Sequence, residues 1–153
     1  MTKYEELASF AIEQTRKENL NKCDCKDAAR KVVSAFIEYL QCPLSEMRWF
    51  KPNGYYEEVQ AIELTPGDDD FYDFGFSVTF RNESNLFVAA DMRFGIRKQG
   101  TNFILRTDEE STFDVENQKQ LAALNEALYE SFKRAFTWPD DSPKRPYGFH
   151  PRR

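Results

Sequence analysis

From Phe71 to Thr107 apolar and polar positions alternate almost without a fault, in "FYDFGFSVTFRNESNLFVAADMRFGIRKQGTNFILRT". A period of two is the signature of half-buried strands. Tyr72, Phe74, Phe76, Val78 and Phe80 form the apolar set of one strand. Leu86, Val88, Ala90, Met92, Phe94 and Ile96 form that of the next. These sets share a face only if the loop between them has three residues, and Glu83, Ser84 and Asn85 provide it, with Asn85 suited to the left-handed conformation. The register then sets Phe80 against Val88, Val78 against Ala90, Phe76 against Met92 and Phe74 against Phe94. A two-residue Gln99-Gly100 loop starts a further strand, with Ile96 facing Phe103 and Phe94 facing Leu105.

Upstream, the period lengthens to that of a helix. Thr2 and Glu5 have capping-box spacing, and Tyr4, Leu7, Ala8, Ala11 and Thr15 recur on one side, predicting a helix from about Lys3 to Glu18. Asp24 reads as the N-cap of a second helix, whose stripe is Ala29, Val32, Val33, Phe36 and Leu40 and which Pro43 ends. Next, "RWFKPNGYYEEVQAIELTPGDDD" reads as a hairpin turning at Pro52-Asn53 with Gly54 left-handed, so that Phe50 faces Tyr56 and Arg48 faces Glu58. After the strands, Asp114 caps a last helix carrying Leu121, Leu124, Leu128, Phe132 and Ala135 or Phe136 on one face.

The predicted fold is therefore α+β: two N-terminal helices, an antiparallel meander of about five strands and a long C-terminal helix, all helices on one sheet face. At 153 residues one domain is expected, residues 1–138, followed by an extended proline-rich tail, residues 139–153. This order of elements is loosely similar to helix-grip ligand-binding domains and, in size and acidity, to small secretion chaperones. No motif carries either similarity, and no family is assigned on it.

Charge narrows the function. The net charge is -5; four cations against two aspartates give the tail +2, leaving -7 on the body. An acidic body lacks the basic face that nucleic-acid binding requires. No apolar run is long enough for a membrane span and the first residues do not read as a signal peptide, so a cytoplasmic protein is expected. Three cysteines fit reduced thiols. Cys25, in the predicted first turn of the second helix, would have its thiol pKa lowered by the helix dipole.

Candidate chemistry is sparse. Cys23 and Cys25 are spaced more tightly than usual zinc ligands, and the single histidine, His150, is in the tail, so no metal and no cofactor is expected. "GDDDFYD" lacks the alternating ligands of a calcium loop, "DFG" at Asp73–Gly75 lies inside a strand, and "NES" at Asn82–Ser84 needs secretion to matter. No catalytic constellation is evident, which favours a non-catalytic interaction protein of adaptor, chaperone or inhibitor type that self-associates or docks a partner. Its expected interface is the outer sheet face: Asp73, Gly75, Ser77, Asp91, Arg93 and Arg106, with Arg93 beside Arg106. The alternative is a small apolar ligand held in a Phe-lined cavity between sheet and C-terminal helix, with Phe76, Met92 and Phe94 as lining and Arg48, Glu58 and Gln60 as its polar end.

Overall fold

The computed structural model describes residues 1–52, 57–137 and 149–152, the last of these by backbone alone. One helix, α1 (Lys3–Tyr39), precedes strands β1 (Met47–Phe50), β2 (Glu58–Val59), β3 (Thr65–Pro66), β4 (Tyr72–Arg81), β5 (Phe87–Gln99), β6 (Asn102–Arg106) and β7 (Glu110–Phe113). Helix α2 (Gln118–Phe136) and strand β8 (Phe149–Arg152) follow. Among the described residues the antiparallel path runs β2-β1-β4-β5-β6-β7, with β3 pairing β4 and β8 pairing β5. The sheet thus exceeds the five strands expected, and the end of the tail belongs to it.

The β4–β5 register is the one the alternation demands, with Phe74, Phe76, Val78 and Phe80 opposite Phe94, Met92, Ala90 and Val88. Asn85 takes φ 59°. The Asn82 side chain closes the loop by accepting from the N–H groups of Ser84 and Leu86, both at 3.0 Å. The next hairpin slips by two residues from expectation: Ile96 faces Leu105, Lys98 faces Phe103, and Gly100-Thr101 is the turn. Gly100, at φ 63°, is thus the first central residue, where this type of two-residue turn requires a positive φ. A shift of two leaves every side chain on its own face, so the apolar pattern alone cannot exclude it.

The two expected N-terminal helices are one. Asp24, read as a cap, instead accepts from Lys98 Nζ at 2.6 Å, and no glycine or proline interrupts the chain between the two stripes. The capping box at Thr2 is present, with Glu5 N–H donating to Thr2 Oγ1 at 3.1 Å and Thr2 N–H to Glu5 Oε2 at 3.0 Å. Helix α2 starts three residues later than expected: Asn117 is the cap, accepting from Gln120 N–H at 3.1 Å, while Asp114 turns the chain toward it by accepting from Glu116 N–H.

Both helices pack on the inner sheet face. Ala29, Val32, Val33 and Phe36 of α1 and Leu124, Leu128 and Phe132 of α2 share one core with Phe74, Phe76, Met92, Phe94 and Leu105. The Phe36 and Phe132 rings stack at 5.3 Å, and Tyr39 O–H donates to Glu126 at 2.6 Å, a bond that raises the Tyr39 phenol to about 12.

Strand β1 also departs from expectation by two residues, with Phe50 opposite Glu58 and Gly75. The expected partner Tyr56 and the turn residues Asn53 and Gly54 lie outside the described residues. Phe50 lies on the outer face yet is fully buried, its ring pressed onto Gly75, where a Cβ would stand 2.5 Å from the ring. Gly75→Ala is accordingly expected to destabilise the protein by about 1–3 kcal/mol, the usual cost of overpacking. In urea denaturation the same substitution should cost less when Phe50 is already leucine; equal costs in both backgrounds would break the link between the two residues.

Candidate functional site

Burial separates the candidate residues into three groups. Phe76, Met92 and Phe94 are fully buried, and Phe94 meets Phe74 and Phe76 edge-on at 5.9 and 5.6 Å. These rings fill the core, which is what interior packing density demands of them. The expected polar end does not meet them. Arg48 and Glu58 form an ion pair at 3.2 Å with both side chains about half exposed, and they share the outer face with Phe50. Gln60 is exposed, at the edge of a cleft of about 650 Å³ that runs between α1 and β1 beside Ile37, Met47 and Trp49.

The outer-face candidates are mostly enclosed. Gly75, Ser77 and Asp91 are buried, and Arg93 lies with its guanidinium 5.5 Å from the Phe50 ring centre. Arg106 does not stand beside Arg93; it faces Gly95. The missing side chain at Gly95 lets Arg106 and Asp73 approach each other across it, to 3.9 Å. Phe71, itself buried, has Arg97 and Arg106 over its ring at 4.8 and 4.1 Å. This face is a second, smaller packed layer, with cations laid on aromatic rings.

Asp73 carries the electrostatic strain of that layer. Its Oδ1 is buried without a hydrogen-bond partner among the described residues, and burial raises its pKa, an effect that Arg106 opposes and Asp68 reinforces. The cysteines behave differently from expectation. Because α1 runs unbroken through it, Cys25 has no helix N-terminus to lower its pKa; burial pushes the thiol up instead. Cys42 is raised by burial as well, and Cys23 is exposed. Among the described residues no group of three His, Cys, Asp or Glu side chains could hold a metal ion, and no helix is long and apolar enough to cross a membrane.

The main apolar surface is elsewhere, at the end of the molecule where the β4–β5 hairpin, the last turn of α1 and the second half of α2 converge. A groove of about 520 Å³ opens there. Its floor is aromatic: Phe80 meets Phe132 and Phe136 edge-on at 5.9 and 5.5 Å. Leu86 and Phe87 form one wall, 69% and 58% exposed, and Tyr129 and Leu40 the other. Two cations sit at the rim. Arg81 lies over the Phe87 ring at 4.9 Å and pairs with Glu46 at 3.1 Å. Lys133 lies over Tyr129 at 5.6 Å and makes no ion pair among the described residues.

The alternation rule places Leu86 inside the sheet and misses Phe87. The signal available was the pair itself, two adjacent large apolar residues at a hairpin tip, where strict alternation allows one. The chain is thus an α+β protein with an antiparallel sheet, a C-terminal helix and an open aromatic groove at one end. Comparison with family models, curated proteins and solved structures finds no match.

The raised Asp73 pKa means that the folded state holds this proton more tightly than the unfolded chain does. The charged form therefore costs stability at neutral pH, and the cost fades as pH falls through the raised pKa. Asp73→Asn should melt higher than the native protein at pH 7, with the gap narrowing as the pH is lowered into the carboxylate range. A gap that widens on acidification would reverse the assignment.

Proposed function

We propose that the protein is a non-catalytic protein-interaction domain whose recognition surface is the groove between the β4–β5 hairpin and α2. The observation that supports this most is the exposure of Leu86 and Phe87 beside a floor of Phe80, Phe132 and Phe136. Large apolar side chains left in water around a concavity are the usual mark of a docking site, and scattered single ones are not. Tyr129, Phe132, Lys133 and Phe136 line the groove at i, i+3, i+4 and i+7 along one face of α2, and an amphipathic helix with anchors at the same spacing is a ligand class that suits such a surface. Arg81 and Lys133 at the rim favour one with acidic flanks.

This moves the expected contact surface from the outer sheet face, whose central residues are buried, to one end of the molecule. A second reading, a small apolar ligand, has support from the same place, because the groove is Phe-lined and lies between sheet and C-terminal helix. Its residues are not Phe76, Met92 and Phe94.

Selection of a displayed library of helical peptides against the folded protein distinguishes the two. Peptides with apolar anchors at helical spacing and flanking acids should be enriched, and Leu86→Asp or Phe87→Asp should weaken their binding at least tenfold while leaving the melting temperature within a few degrees. Failure to enrich any helical peptide, with a medium-chain fatty acid raising the melting temperature of the native protein but not of Leu86→Asp, would replace the first reading by the second.

A further inference from the structure

Another large apolar surface is exposed among the described residues. Residues 3–20 of α1 project from the body, and Tyr4, Leu7, Phe10, Ile12 and Leu20 are each more than half exposed. Leu7, Phe10 and Ala11 precede the buried Cys25, Ala28 and Ala29 by eighteen residues, or five whole helical turns. The face that packs on the sheet inside the body therefore continues outward along the overhang, where its large apolar side chains are exposed among the described residues. Apolar side chains held in water along this overhang forgo the free energy of burial, so a partner that covers them is favoured.

We infer that the groove is filled by the N-terminal helix of a second copy of this chain, in a reciprocal two-fold pair; this rests on the groove being a docking site for a helix, as proposed above. Length supports it. The overhang, residues 3–20, is about 27 Å long, and the packed part of α1, residues 21–39, is about 28 Å. Two copies laid antiparallel with the two-fold axis near residue 26 place Leu7 of one about 9 Å beyond Tyr39 of the other, the height of Phe132 on α2 and so of the groove.

Charge agrees. Residues 3–13 carry Glu5, Glu6 and Glu13 against Lys3, a net of -2, and the groove rim presents Arg81 and Lys133. In this arrangement the overhang runs antiparallel to α2 of the partner copy, because α2 lies parallel to α1: Lys31 reaches Glu116 and Tyr39 reaches Glu126. The positive end of one helix dipole thereby meets the negative end of the other. The anchors would be Tyr4, Leu7 and Phe10, with the small Ala11 allowing close approach.

Sedimentation velocity of the full chain and of two variants tests this. The native chain should be a dimer at tens of micromolar. Leu7→Asp, in the overhang, and Leu86→Asp, in the groove, should each weaken self-association at least tenfold, with circular dichroism showing both folded. An equimolar mixture of the two variants should form a heterodimer, because the intact helix of one still meets the intact groove of the other; this complementation is specific to helix-in-groove exchange. A native chain that is monomeric at 100 micromolar overturns the inference, as does a dimer that tolerates either substitution or variants that fail to complement. Helical peptides that bind a monomeric native protein at Leu86 would leave the groove's role standing and remove only the second copy as its occupant.

Discussion

The structure depends on a single register. Ten residue pairs between β4 and β5 hold the inner-face phenylalanines opposite apolar partners, and a slip of one residue would turn every one of them to the outside. Asn82 fixes that register from the loop by binding the N–H groups of Ser84 and Leu86, so the turn and the face pattern specify the same answer. The other features follow from it. The inner face receives both helices, the odd positions form the row in which Gly75 admits Phe50 and Gly95 admits Arg106, and Leu86 and Phe87 are carried past the edge of the core into solvent.

Among the described residues, a core assembled this way leaves apolar surfaces exposed at both ends of α1. One is concave, aromatic and rimmed by Arg81 and Lys133; the other is a convex helix with three carboxylates among its first residues. Apolar area left in water forgoes roughly 25 cal/mol for every Å² that could be buried, so each surface gains by being covered. Pairing the two between copies covers both, in a symmetry that closes on itself without leaving an open edge.

What could be read from the sequence was whatever the period of two controls. The β4–β5 pairing, the positive φ at Asn85, the face of α2 and the capping box at Thr2 all follow from local chemistry with a short reach. Slips of two residues, as in the hairpins at Gly100 and at β1–β2, keep the faces unchanged and were invisible to the pattern. Asp24 looked like a cap because Asp is a favoured cap; its engagement by Lys98 joins residues 74 positions apart, which no local rule detects. The candidate site was missed for a related reason. Leu86, Phe87, Tyr129 and Lys133 are unremarkable in their own segments and become a groove only when the hairpin tip is folded against α2. Exposure of the first half of α1 was likewise hidden, since its apolar stripe resembles that of any packed helix.

Hydrogen exchange at the amides of residues 5–20, followed at several protein concentrations, tests the central claim most directly, because those amides belong to a helical segment whose large apolar side chains are exposed among the described residues. If the overhang lies in the groove of a second copy, exchange is slow at high micromolar concentration and accelerates on dilution, in step with new exposure at Leu86 and Phe87. Exchange at one rate across all concentrations, whether fast or slow, would contradict it.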